Sequence, residues 1–251
     1  VNWINGNDIS AHQGDVNFKT MRSAGSEFVY CRKSIGYYSD LRFWDNFDGA
    51  KTEGLPFGIY HYFYAGYNVE KQFSKMIEGI QPPDLTFPPV LDVEHKHSVT
   101  KSQALGEVLK FLYLLKSWWT GVRMPAIYTA KFVWQDFYSI KPGWIHDWDL
   151  FVANYTNELM PVYVPIGWEK TSGGIAIPAE DQFINWQWEA DGNRKGHAHG
   201  VSSYDIDMDR MQEWYFNLFV TPSPPQPPSD IDVVSELEQI RSAVDSIEAK
   251  V

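Results

Sequence analysis

The sequence holds one cysteine, Cys31, in 251 residues. A lone thiol cannot form an intrachain bridge, so a disulfide-stapled fold is excluded and stability must come from a core. No apolar run approaches the eighteen or so residues of a membrane span, and no signal-peptide pattern is present. The chain opens on Val1 without a methionine, which reads as a processed or trimmed N-terminus and leaves secretion open. Basic residues are scarce: 21 Lys and Arg stand against 32 Asp and Glu, for a formal net charge of -11 and a pI near 5.0. A nucleic-acid partner, which would reward a basic stripe, is not expected. Nor is a membrane partner, or adhesion to an anionic surface by bulk charge. Metal-binding patterns are equally thin. His95-Lys96-His97 and His197-Ala198-His199 lack the i, i+4 spacing of a helical zinc site and have no supporting cysteines, so they read as loop histidines. No metal and no cofactor are expected.

Aromatic residues, by contrast, are abundant. Eleven Trp, 14 Tyr and 15 Phe make up 16% of the chain. Most must pack in a core, but their faces also suit stacking on sugar rings. The length fits one large α/β domain. Strand-like runs at Ile4–Ser10, Phe28–Lys33, Phe57–Tyr64, Val90–Glu94, Pro125–Thr129, Leu150–Tyr155 and Phe183–Trp188 alternate with amphipathic stretches. The latter cover Leu41–Gly54, Val69–Ile80 and Lys101–Trp119, the last opened by a Thr100/Gln103 capping-box signature. Such repetition implies a parallel sheet with right-handed crossovers. After Tyr155 the helical pattern fades, and Pro161–Asp181 contains no good helix. The expected fold is therefore α/β, an irregular TIM-like barrel of (β/α)5(β)3 type over residues 1–220. Its chemistry should sit at the C-terminal ends of the strands.

Composition changes at Thr221. Residues 221–229, TPSPPQPPS, read as a stiff linker of polyproline type. Over residues 230–251, Val233, Leu237, Ile240, Val244, Ile247 and Val251 recur at alternating four- and three-residue spacings. That is a coiled-coil seam about three heptads long, and it favours self-association into a homo-oligomer over a lone docked helix. A coil this short is marginal alone, which suggests a segment of a longer helical region.

The chemistry-bearing segment is Phe87–His95, FPPVLDVEH. Alternation on a strand points Asp92 and Glu94 to one side, with Cα atoms about 6.6 Å apart. Two acids on one buried face are costly unless used. The alternative is a strand end whose acids are solvated or salt-bridged. Asp8, in Asn7-Asp8-Ile9-Ser10 before His12-Gln13-Gly14-Asp15, ends the first strand. His61, in Gly58–Phe63, reads as a structural histidine. Near the C-terminus, Asp205, Asp207 and Asp209 all alternate against Ile206 and Met208, so spacing does not choose among them.

Taken in order, GNDISAHQGDVNF (Gly6–Phe18), GIYHYF (Gly58–Phe63), LDVE (Leu91–Glu94), AIYT (Ala126–Thr129), VANYT (Val152–Thr156), WQW (Trp186–Trp188) and IDMDR (Ile206–Arg210) resemble the glycoside hydrolase family 25 muramidases, the Chalaropsis-type lysozymes common among phage endolysins and bacterial autolysins. The likeness covers roughly residues 3 to 216. Two departures concern subsite detail: WQW carries Trp where another aromatic is usual at its third place, and an insertion-like stretch, Glu189–Ser203, precedes the last aspartate. The resemblance implies retaining cleavage of the β-1,4 bond between N-acetylmuramic acid and N-acetylglucosamine in bacterial peptidoglycan. It assigns Glu94 as general acid/base, Asp92 as its partner carboxylate, and Asp8 and Asp207 as supporting acids. The family's Val-Asp-Leu-Asn pattern is what selects Asp207. Tyr62, Tyr64, Tyr128, Tyr155, Trp186 and Trp188, aromatics of the matching strands, are the expected substrate-binding residues. The place of action would be the bacterial wall, as a phage endolysin, a virion-associated enzyme or a secreted one. Asp92 acts either as nucleophile or as stabiliser of an oxazolinium ion formed by the substrate's own acetamido group.

A chitinase-like hydrolase would need acids at positions 87 and 90, where this chain has Phe87 and Val90. A non-catalytic glycan-binding or virion structural module on a coiled-coil stalk is the rival from another class. The presence of all four acids counts against it.

Overall fold

The computed structural model describes residues 2–95, 98–135, 142–155, 161, 169–172, 175–178, 183–190 and 193–220. The expected linker at 221–229 and helix at 230–251 lie outside the described residues, as do Lys96 and His97.

The strands are β1 (Trp3–Ile9), β2 (Phe28–Ile35), the two-residue β3 (Tyr38–Ser39), β4 (Phe57–Tyr62), β5 (Val90–Asp92), β6 (Ala126–Ala130), β7 (Asp149–Ala153), β8 (Glu169–Ser172), β9 (Ile175–Pro178), β10 (Phe183–Glu189) and β11 (Asp207–Gln212). Eight of them close a barrel. β1, β2, β4, β5, β6, β7 and β10 run parallel in that order, while β11 pairs antiparallel with both β10 and β1. β3 edges β2, and β8 and β9 form a separate antiparallel pair. The helices α1 (Phe18–Ser23), α2 (Phe43–Thr52), α3 (Val69–Ile77), α4 (Lys101–Trp118) and the single turn α5 (Lys131–Val133) fall between successive barrel strands, and α6 (Glu213–Val220) follows β11.

The barrel sorts its side chains by strand alternation. Its interior is filled by Phe28, Tyr30, Phe87, Val90, Phe151 and Met211, joined by Tyr215 and Phe216 of α6. Two glycines make room for the rings. A Cβ at Gly58 would lie 2.2 Å from the Tyr30 ring, and one at Gly6 would lie 2.5 Å from Phe28. Ile9, Cys31, Ile59, Leu91, Ile127, Leu150 and Trp186 face outward into the layer that the helices cover. Within it α4 buries Leu105, Val108, Leu109, Phe111, Leu112 and Leu115.

Elements differ from expectation mainly at their ends. β4 ends at Tyr62, short of the expected Tyr64, although the next amide, Phe63 N–H, still donates to the Asp92 carbonyl of β5 at 3.0 Å. The short helix α1 was not expected from the sequence pattern. The buried stripe of α2 is Phe43, Asn46, Phe47 and Ala50, so Leu41 precedes the helix at 91% exposure and Trp44 stays half out. Only half of the expected capping box forms at α4: Thr100 accepts from Gln103 N–H at 3.2 Å, but the Gln103 amide turns outward to Glu107. Asp181 lies outside the described residues, but within Pro161–Asp181 the described segments form the β8–β9 pair.

Candidate active site

The site is built at the C-terminal mouth of the parallel strands. β1 carries Asp8 near its end, in register with Tyr30 of β2 on one side and Asp207 of β11 on the other. β5 places Asp92 between Tyr62 of β4 and Tyr128 of β6. Glu94 follows two residues later. The segment carrying it is pinned by Val93 N–H to the Tyr128 carbonyl at 2.8 Å and by Thr129 Oγ1–H to the Val93 carbonyl at 2.8 Å. All four expected acids line one cleft of about 530 Å³, together with Tyr62, Tyr128 and Tyr155.

Three expected binding residues are placed differently. Tyr64 stands beside the cleft, its ring packed on Tyr62 and on His95. Trp186 and Trp188 are corrected: both face away from the cleft. Trp186 is fully buried in the outer layer, where its indole N–H donates to the Asn154 carbonyl at 2.7 Å and its ring meets Trp3. Trp188 packs under Arg210 and Lys195. The reason is alternation, which turns the residue between them inward. Gln187 is the inward residue of WQW. Its amide donates to Asp8 Oδ2 at 2.7 Å, and its carbonyl accepts from the Tyr128 and Tyr155 hydroxyls at 2.8 Å each.

Arg32 was likewise missed. Its guanidinium lines the cleft and is anchored by the buried Asp40 at 2.8 Å. Asp40 also accepts from the amides of Ala11 and Arg42. The insertion-like stretch docks on the β1–α1 loop: Asn17 N–H donates to Gly200, Ser202 N–H to Asp15 and Ser203 N–H to Gln13. It thereby brings Ala190 and Ser203 to the cleft rim.

Burial dominates the electrostatics. It raises Asp8 to about 6, against the opposing pull of the Gln187 hydrogen bond, the Asp209 hydrogen bond and the Arg32 charge. Glu94 is raised to about 7, first by burial and then by the Asp8 charge. Asp92 is held well above the ordinary carboxylate range by burial, then by Glu94 and Asp8. Its Oδ1 is buried without a hydrogen-bond donor among the described residues. Several like charges crowded at the floor of one cleft cannot all ionise, so the cluster retains protons near neutrality.

His61 is structural. It is fully buried outside the barrel, with Nδ1 2.8 Å from the Ser34 hydroxyl, Nε2 3.3 Å from Gln72 Oε1, and its ring stacked on Phe111. Burial lowers its pKa to about 3, which keeps it neutral. Among the described residues no group of three or more His, Cys, Asp or Glu is arranged to hold a metal ion.

An acid cluster at the mouth of such a barrel invites comparison with known proteins. The sequence profile described as Glycosyl hydrolases family 25 matches residues 7–197. The chain belongs to this family. Among relatives of this family 25 chain, the autolytic lysozyme of Clostridium acetobutylicum is 30% identical over 215 residues, covering 84% of this chain and 56% of that protein. Lysozyme M1 of Streptomyces globisporus is 26% identical over 171 residues, covering 58% of this chain and 55% of that protein. The chain thus spans about half the length of these curated relatives. In fold it matches the bacterial lysozyme of Streptomyces coelicolor with a TM-score of 0.71 at 24% identity, over 87% of this chain and 98% of that one.

Proposed function

We propose that this family 25 protein is a peptidoglycan hydrolase, an N-acetylmuramidase that cleaves the β-1,4 bond between N-acetylmuramic acid and N-acetylglucosamine with retention of configuration. The observation that carries the reading is the pairing, in one cleft, of Glu94, raised to about 7, with Asp92, a deeply buried carboxyl two residues before it. A glycosidic oxygen leaves only when protonated, and Glu94 is the acid poised to do it near neutral pH. The substrate's acetamido N–H is a donor to the Asp92 carboxylate in this reading. Making that bond favours ionised Asp92 and moves the shared proton toward Glu94. Asp92 then stabilises the positive charge that develops at the anomeric centre, through an oxazolinium ion in the substrate-assisted route or a covalent bond in the direct one. Glu94, now ionised, takes a proton from the incoming water.

Tyr62, Tyr128 and Tyr155 present aromatic and hydroxyl surface to the sugar, while Asp8 and Asp207 orient polar groups around it. With a net charge of -11, recognition of an anionic wall rests on this shaped cleft rather than on bulk attraction. The wall is the proposed site of action, reached as an endolysin, a virion-associated enzyme or a secreted one.

Digestion of purified sacculi tests the assignment. Mass spectrometry of the products should show reducing muramic acid ends, and Glu94→Gln should lower the rate by at least about 1,000-fold with an unchanged circular dichroism spectrum, as expected when a general acid is removed. Reducing glucosamine ends, or a Glu94→Gln variant near wild-type turnover, would overturn it. Binding without any cleavage would instead favour the non-catalytic module.

A further inference from the structure

Asp209 is the acid that neither the sequence motif nor the proposed reaction uses. It lies on the inward face of β11, between Asp207 at the mouth and Met211 in the interior core, and it is 0% exposed. Its strand register sets it across from Gly6 of β1 and Gln187 of β10. No amide or other polar donor among the described residues reaches either of its carboxyl oxygens. Among the described residues, the side chain placed to interact with it by hydrogen bonding is the carboxyl of Asp8. Two carboxylates repel one another; two carboxyls in hydrogen-bonding contact must share a proton.

We propose that Asp209 is a positioning residue that stays protonated and donates its O–H to Asp8, so that Asp8 is held ionised and fixed between this donor and the Gln187 amide. The proposal deepens the muramidase reading above and rests on it for its kinetic consequences. The surroundings decide which of the two acids keeps the proton. Asp209 faces burial, the charges of Asp8 and Asp207, and the Tyr30 hydroxyl from β2, and among the described residues no cation weighs on it. Asp8 faces the Gln187 donor and the Arg32 charge, with Asp92, Glu94 and Tyr60 across the cleft. The ionised form is therefore better supported at Asp8. Its charge in turn is one of the two influences that raise Glu94. A proton buried one layer below the mouth thus helps keep the proposed general acid protonated.

Asp209→Asn and Asp209→Leu separate this role from simple packing. Asparagine is nearly isosteric and still offers an N–H to Asp8, whereas leucine offers nothing. The profile of kcat/KM against pH should keep both limbs in place in Asp209→Asn. In Asp209→Leu the value at the optimum should fall roughly 10- to 100-fold, the worth of a hydrogen bond to a charged group. Its bell should also narrow, with the acidic limb moving up as Asp8 holds its proton longer and the alkaline limb moving down as Glu94 loses Asp8's charge. A second readout needs no activity. The infrared difference spectrum of wild type minus Asp209→Asn at neutral pH should contain the C=O stretch of a protonated carboxyl. An absent band, a displaced limb in Asp209→Asn, or wild-type limbs in a folded Asp209→Leu would each overturn the proposal. If the protein proves not to cleave peptidoglycan, the infrared band still decides the protonation of Asp209 by itself.

Discussion

Gln187 shows how a neutral side chain organises an acidic site. One primary amide satisfies the Asp8 carboxylate and two tyrosine hydroxyls at 2.7 to 2.8 Å, tying β1, β6, the segment after β7, and β10 into one hydrogen-bond network. Buried networks of this kind are stabilising only when complete. Gln187→Leu keeps most of the volume but strands three polar groups. It should lower stability by about 1–3 kcal/mol and reduce the clearing rate at least tenfold, because Asp8 loses a fixed donor. Chemical denaturation and a turbidity assay on sacculi check the two effects, and wild-type clearing by a destabilised Gln187→Leu would show that Asp8 needs no orientation. The sequence made Gln187 findable. On a strand the middle residue of WQW must face opposite to its neighbours, and the indoles drew attention to the wrong face. Asp209 was less legible. Asp205, Asp207 and Asp209 share one face, and only the closure of the barrel, which sets Asp207 opposite Asp8 and Asp209 opposite Gly6, separates their depths.

At the scale of elements, patterns with one dominant periodicity were readable and those governed by tertiary contact were not. α4 was plain because its apolar spacing runs for eighteen residues behind a threonine cap. α2 was placed almost correctly, and its Phe47 and Ala50 are buried, but Phe43 rather than Trp44 fits against Phe57 of β4. The Glu189–Ser203 stretch had no signal of its own. It is ordered by backbone bonds to the β1–α1 loop, partners far distant in sequence (187 residues for Ser202 and Asp15) that no local pattern encodes. The α4 cap offers a clean test of an element remote from the cleft. Thr100→Ala removes the acceptor for Gln103 N–H and should cost about 1 kcal/mol of stability, read as a lower denaturation midpoint. The clearing rate should stay unchanged, because β5 and the Glu94 segment are held by β4, β6 and Thr129 rather than by the helix start. A lost clearing rate would mean instead that the helix start helps position Glu94.

Across the whole molecule, the barrel divides its interior between two demands. The end away from the acids is closed by Phe28, Phe87, Tyr215 and Phe216, while the mouth buries Asp8, Asp92 and Asp209 and half-buries Glu94 in or just beneath the cleft. The first supplies hydrophobic stabilisation; the second opposes it whenever the acids ionise. For an acid raised in the folded state, the native form binds more protons than the unfolded form between the ordinary carboxylate pKa and the raised one. The associated stability is fully present below about pH 4, the unfolded range, and is lost as pH rises through about 6 for Asp8 and about 7 for Glu94. Asp92 and Asp209, raised in the same direction, extend the loss to higher pH. The protein should therefore unfold at lower denaturant concentration at pH 8 than at pH 5. Glu94→Gln, which removes one titrating acid and the repulsion it exerts on Asp92, should show a shallower decline over that interval. Urea midpoints measured for both proteins across pH 5 to 8 decide it. Parallel curves would mean that Glu94 titrates alike in the folded and unfolded chain, and would remove the physical basis for its service as an acid near neutrality.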